Sequence, residues 1–460
     1  MTIDILQDDV LLEIFDSYRK YVNDGMWMWK WQKLLHVCRR WRYIVLASPR
    51  RLDLQIQCNI STPIMELLDI WPSLPISISC YSSGKDRTHG IVAALQQRSR
   101  ISRIDLSCTT WEEMKQFVAA MDEPFPVLTH LYASRHATNQ GTTAVLPDSF
   151  LGGSAPRLES LDLRYTAFPA LTNLVLSASH FSNLHLHSIP SAGYIPPETM
   201  VTFLLPLCNL KVLEIEFISP ESPPLQITPP PSTLALLPSL TSFRFVGDGE
   251  YLADFIARID TPMLDTLHIT THFSDPILNI PQFHEFIDRA DRIKTFTQAE
   301  VHLDTEELEV IFKVPSNRGL GISCWTSDPP LVAMMRLFEK LLSIPSQVER
   351  LELHEFEIEQ EWQDGTENSD WLRLLHPFVS VKSLYVDAGL APFIVSALEE
   401  LTEVRVTEVL PSLENLVIED LESDASDDSE FVEETIRSFI SMRQLSGHPV
   451  ILRRWDLEQE

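Results

Sequence analysis

Histidines and carboxylates recur at equivalent places along this chain. His185 and His187 lie in FSNLHLH, His268 in LDTLHIT and His354 in VERLELH. Glu214 and Glu216 lie in LKVLEIE, Glu352 shares the VERLELH segment, and Glu419 closes LENLVIE. Grouped imidazoles can ligate a metal or move protons, and a facing pair of carboxylates can hydrolyse a glycoside. Neither chemistry has the pattern it needs. Neither the spacing of the histidines nor a nearby cysteine supports a defined metal site. HExxH, GxSxG, GxGxxG and GxxxxGK[ST] are all missing, and the 14 glycines of the chain leave few positions for phosphate-cradling loops. No catalytic residue, metal or other cofactor is assigned, and the chain is expected not to be an enzyme.

Recognition is the remaining use for these side chains. In a strand written apolar-x-apolar, the intervening residue points away from the core. Arg164, His185, Glu214, Arg244, His268, Glu352, His354 and Tyr385 occupy such positions, with Asp105, Asp162 and Asp387 beside them. They are the candidates for gripping a target protein.

The elements that would carry them repeat. An apolar residue, two others, an apolar residue, one other and an apolar residue appear in ISRIDLS at Ile101, LESLDLR at Leu158, FSNLHLH at Phe181 and LKVLEIE at Leu210. The pattern returns in LTSFRFV at Leu240, LDTLHIT at Leu264, VERLELH at Val348, VKSLYVD at Val381 and LENLVIE at Leu413. LTHLYAS at Leu128 and IKTFTQA at Ile293 are degenerate copies. Most intervals run from 23 to 33 residues, and the 55-residue gap before Val348 has room for one more copy, around LGISCW at Leu320. A proline often stands two residues ahead, as at Pro126, Pro156, Pro238, Pro262 and Pro411. Helical patterns fill the intervals, with Leu252, Phe255, Ile256 and Ile259 on one face, and Met334, Leu337, Phe338 and Leu341 on another. One strand and one helix per short period predict stacked units, each covering its neighbour's apolar side.

Two stretches break the rhythm. Residues 218–238 hold seven prolines and are expected to form an extended loop. Residues 419–434 hold nine acids and are expected to form an acidic loop, with serines Ser423, Ser426 and Ser429, before a last helix around Ile436, Phe439 and Ile440. GHPVILRRW then suggests a closing strand.

The first residues are different in kind. Val10, Leu11, Ile14, Phe15 and Tyr18 recur at helical spacing after Asp8 and Asp9, and Leu34, Cys38, Trp41 and Val45 do so before Ser48-Pro49. So small a module buries little surface alone. Residues 1–51 carry nine Lys and Arg against six Asp and Glu, while the rest carries 27 against 59, so a head of +3 precedes a body of −32 within the total of −29. Such a body repels phosphate backbones, and nucleic acid is not an expected partner. No window reads as a membrane span or a signal peptide, and the scattered Cys38, Cys58, Cys80, Cys108, Cys208 and Cys324 suit a reducing compartment, so the cytoplasm or the nucleus is expected.

The head resembles an F-box. The matching residues are Leu6, Asp9, Val10, Leu11, Ile14 and Phe15, then LHVCRRWRYIV with Val37, Cys38, Arg40 and Trp41. The body looks like divergent leucine-rich repeats, and the combination is similar to F-box proteins abundant in mushroom-forming fungi. The sequence departs from that pattern at Gln7, where proline is usual, and in a longer gap holding Trp27, Trp29 and Trp31. The resemblance implies an α/β fold: a three-helix F-box over residues 1–52, followed by a solenoid over 53–460. That solenoid would be a horseshoe of about 10–12 irregular repeats with a parallel concave sheet. It further implies a substrate receptor of an SCF-type cullin-RING ubiquitin ligase. Leu6, Val10, Leu11, Ile14, Phe15, Leu34, Val37, Cys38, Arg40 and Trp41 would meet a Skp-type adaptor, and through it a cullin. The alternative is a repeat scaffold for protein–protein interaction with no ligase coupling.

Overall fold

The structure is a computed structural model. It describes residues 6–22, 30–48, 52, 55–59, 64–70, 74–81, 88–108, 110–135, 144–168, 171–218, 234–272, 281–293, 295–304, 307–314, 318–325, 330–341, 344–355, 367–401, 403–419 and 427–455. The chain forms two compact units, residues 1–194 and 195–460. Both are α/β.

The first unit opens with helix α1 (Asp8–Val22), a 3-10 helix (Lys30–His36) and helix α2 (Arg39–Ala47). Asp8 and Asp9 sit in the first turn of α1, where carboxylates favour the positive end of the helix dipole. Strands Ile56–Cys58, Ile76–Tyr81, Ile101–Cys108, His130–Arg135, Ser160–Arg164 and Asn183–Ile189 follow, each parallel to the next. Helices Ile64–Ile70, Thr88–Leu95 and Trp111–Ala120 link the earlier ones. Parallel neighbours demand such crossovers.

In the second unit, strands Val212–Phe217, Ser242–Gly247 and Thr266–His272 are parallel, and so are Gln298–Leu303, Arg350–Glu355, Ser383–Val386, Asn415–Glu419 and Ile451–Trp455. The two runs are joined through Arg318–Trp325 and Glu307–Val314. The copy expected near Leu320 is therefore real but accompanied. Residues 298–325 fold as a three-stranded meander, whose middle strand, Glu307–Val314, is antiparallel to both neighbours. This corrects the expectation of a wholly parallel sheet. The physical reason is that short loops close hairpins but not parallel pairs. The degenerate copy placed at Ile293 also shifts, since its strand begins at Gln298 while Ile293 and Phe296 are core residues ahead of it.

The inward positions of the repeats carry the core. Leu161 and Leu163, Leu184 and Leu186, Leu213 and Ile215, Phe243 and Phe245, Leu267 and Ile269, and Leu351 and Leu353 are all buried. Many of the strands are preceded by a tight turn closed on the repeat's first apolar residue. Leu158 donates its N–H to the Ala155 carbonyl (3.0 Å), Leu240 to Leu237 (3.3 Å), Leu264 to Thr261 (3.1 Å) and Leu413 to Leu410 (3.1 Å). The recurring prolines, Pro156, Pro238, Pro262 and Pro411, occupy the second position of these turns, whose φ the pyrrolidine ring already matches. Hydroxyls then stitch one repeat to the next. Thr129 Oγ1 donates to the Ser102 carbonyl (2.8 Å) and Thr241 Oγ1 to that of Lys211 (3.1 Å).

Of the two irregular stretches, residues 219–233 and 420–426 lie outside the described residues. The acidic stretch is not a loop throughout, because the last helix runs over Asp427–Leu445 and takes in residues 427–434. Acids are favourable at a helix start, and the Glu433–Arg437 pair (2.8 Å) joins successive turns further along. The closing strand is Ile451–Trp455. No helix among the described residues is long and apolar enough to cross a membrane.

Candidate recognition surface

In the first unit, register aligns the outward side chains into a row: Asp105 faces Tyr132, Tyr132 faces Asp162, and Asp162 faces His185. Tyr81, Asp105, His130, Tyr132, Asp162 and His185 line a cavity of about 270 Å³ on this face. Arg164 lies at its edge. Its Nε and Nη2 donate to both carboxylate oxygens of Asp162 (3.1 and 3.0 Å), and its guanidinium carbon stands 5.2 Å from the centre of the Tyr132 ring. The Tyr81 hydroxyl donates to Asp105 Oδ2. Burial pushes the Asp105 carboxyl above its usual range, against the pull of Tyr81 and Arg103. Burial and the bond to Asp105 together push the Tyr81 phenol up to about 12. Burial also lowers the affinity of His130 for a proton, with the Arg103 charge adding to it.

The second unit repeats the arrangement with other residues. Glu214 faces Arg244 and Arg244 faces His268. The His268 imidazole rests over Gly321, where a Cβ would fall 2.4 Å from Nδ1. Burial depresses the basicity of His268. From the first strand of the meander onward, Glu300 faces Glu352 and Glu352 faces Tyr385. Arg350 donates from Nε to Glu352 (2.5 Å) and lays its guanidinium 4.0 Å from the centre of the Tyr385 ring. His354 reaches Asp387 through Nδ1 (3.2 Å) and Glu352 through Nε2 (3.6 Å). Burial works against the charge of Glu352, yet hydrogen bonds from His354 and Arg350 outweigh it and hold its carboxyl below the ordinary range.

Every proposed target-binding residue thus lies on a sheet face, half-buried among polar neighbours. Tyr81, His130 and Tyr132 in the first unit, and Arg350 and His302, which faces His354 across the ladder, in the second, are not singled out by the sequence. Tyr132 lies in the degenerate copy LTHLYAS, and His302 lies within Gln298–Leu303, the strand displaced from Ile293. The apolar alternation around Tyr81 and His302, in LPISISCY and AEVHL, is the signal the sequence carries.

At the head, the residues proposed to meet an adaptor divide. Leu11, Phe15 and Leu34 are buried with Leu35, Ile44 and Val45 inside the module. Trp41 packs on Phe15, ring centroids 4.7 Å apart. Arg40 is engaged within the chain, through Asp8 (2.7 Å) and the Leu6 carbonyl (2.5 Å). Cys38 caps α2, its Sγ accepting from the Trp41 N–H (3.5 Å). Leu6 is half-buried. Val10, Ile14 and Val37 remain exposed, by 44%, 44% and 57%. Trp27 and Trp29 lie outside the described residues.

No family model matches the chain, and no curated protein does. Among solved structures, the chain is similar to the leucine-rich repeat-containing protein LegL7 from Legionella pneumophila. The TM-score is 0.28 at 12% identity, covering 86% of this chain and 99% of that one.

Proposed function

We propose that the chain is a noncatalytic substrate receptor of an SCF-type ubiquitin ligase. Its head, residues 1–52, docks a Skp-type adaptor, and the repeats over 53–460 hold a target protein. The observation that carries the recognition half is the register of the outward side chains. Polar and aromatic residues stand in rows such as Asp105–Tyr132–Asp162–His185, while the alternate positions fill the core. The ligase half rests on the head's resemblance to an F-box and on the exposed Val10, Ile14 and Val37, each of which, being about half exposed, would contribute roughly 1 kcal/mol on burial against a partner. Held in this way, a target meets ubiquitin transfer as an effectively intramolecular event. A reducing compartment, cytoplasm or nucleus, is the setting this assignment requires.

Co-expression with a Skp-type adaptor tests it. The wild-type chain retains the adaptor through purification, and Val10→Asp with Ile14→Asp loses it while the melting temperature stays unchanged. A wild-type chain that captures no adaptor overturns the ligase assignment. The second reading, a scaffold without ligase coupling, draws on the enclosure of Leu11, Phe15 and Leu34 within the module.

A further inference from the structure

Two of the tyrosine–carboxylate pairs on these sheet faces are already filled by a cation. Asp162 and Tyr132 hold the Arg164 guanidinium, and Glu352 and Tyr385 hold that of Arg350. The geometry is the same each time. The carboxylate accepts from the guanidinium edge, the tyrosine across the ladder takes its face, and the arginine stands two residues away from the acid on one strand.

In a third pair no cation is bonded to the carboxylate among the described residues, although Arg103 lines the same cavity and its charge acts on Asp105. Asp105 lies opposite Tyr132 and is bonded through Oδ2 to the Tyr81 hydroxyl, yet its Oδ1 is buried and has no donor among the described residues. Arg103 stands two residues back on the same strand, in the place that Arg350 takes relative to Glu352. It is exposed, and among the described residues no ion pair joins it to Asp105. A buried carboxylate oxygen without a donor is costly, and the 270 Å³ cavity beside it is of side-chain size. Tyr81, 61% exposed, and Tyr132 supply ring surface at its wall.

We propose that this cavity is the anchor point for an arginine side chain of the target protein, with Asp105 Oδ1 accepting from its guanidinium and Tyr81 and Tyr132 flanking it. The assignment rests on the reading of the sheet face as a target-binding surface, and it adds the chemistry of the target: a segment with an accessible arginine. Two independent features favour this occupant over a neutral donor. The chain solves the same problem twice with arginine, and the carboxyl has only partial compensation for its buried charge.

The test is a titration of the full-length chain, with ring-13C tyrosine observed by NMR, using the tripeptide Ac-Gly-Arg-Gly-NH2 and its lysine, citrulline and glutamate counterparts. The arginine peptide moves the Tyr81 and Tyr132 resonances. The citrulline peptide, which keeps the shape but not the charge, binds at least about tenfold more weakly. Asp105→Asn, nearly isosteric, weakens the arginine peptide by a similar factor, and Tyr81→Ala, at a side chain 61% exposed, does so too. Arg103→Gln binds as tightly as wild type or more so, because it removes a competing cation. Equal binding of citrulline, unchanged affinity in both Asp105→Asn and Tyr81→Ala, or tighter binding of free arginine than of the tripeptide overturns the proposal. Adaptor capture is read separately: adaptor retained with no response to the arginine peptide sinks this inference and leaves the receptor assignment standing.

Discussion

The imidazoles of His302 and His354 lie face to face, centroids 4.9 Å apart and planes 16° from parallel. They sit in register on adjacent strands, Gln298–Leu303 and Arg350–Glu355. Two stacked imidazolium rings repel, so the surroundings assign the proton to one of them. Hydrogen bonds to Asp387 and then to Glu352 push the His354 pKa up to about 9, while burial and the neighbouring His354 charge depress that of His302.

A stability change with pH follows. The His354 pKa is raised above the unfolded value of about 6.5, so its contribution is fully present below pH 6.5 and drains away as pH climbs through about 9. The loss amounts to roughly 2 kcal/mol once solvent access to the ring is allowed for. Melting temperatures measured from pH 6 to 9.5 should fall across that window for the wild type. His354→Gln should flatten the profile, and an equally steep fall in that variant would refute the assignment.

Arg443 is 0% exposed and donates to the carbonyls of Val406 (2.9 Å), Leu410 (3.1 Å) and Leu413 (3.3 Å). It ties the helix Asp427–Leu445 to the turn that opens the last repeat. Arg443→Met strands those acceptors and should destabilise the chain by about 3 kcal/mol or more. Hydrogen exchange should accelerate in strands Asn415–Glu419 and Ile451–Trp455 before it does elsewhere.

Phe15 and Ile14 adjoin in sequence and should behave oppositely. Phe15→Ala opens a cavity under Trp41 and should cost about 3–5 kcal/mol in the head module. Ile14→Ala, on a 44%-exposed side chain, should leave thermal unfolding within about 0.5 kcal/mol of wild type while weakening adaptor retention. Circular dichroism melting and co-purification read the two effects apart.

Gly321 gives His268 its seat, since an added Cβ would lie 2.4 Å from Nδ1. Gly321→Ala should displace the ring and destabilise by about 1–2 kcal/mol. Combining it with His268→Ala should recover most of that loss, and the coupling energy from the double-mutant cycle is the measurement. Strictly additive effects would show that the two residues do not share the site.

Local order along the chain determined the repeats. Alternation placed Leu161, Leu163, Leu351 and Leu353 inward, and Arg164, His185, Glu352, His354 and Tyr385 outward, because side chains on one strand alternate without reference to any other strand. Pro156, Pro238, Pro262 and Pro411 marked the turns for the same reason, since the ring sets its own φ. The tertiary structure decided everything that depends on a second segment. It turned residues 298–325 into a meander, set His302 against His354, brought Tyr81 from a strand with no leading leucine onto Asp105, and put Phe15 inside the head while leaving Ile14 outside. None of these is a property of one strand or one helix. Each is fixed by which distant residue lies opposite, and that is settled only when register and packing are resolved together.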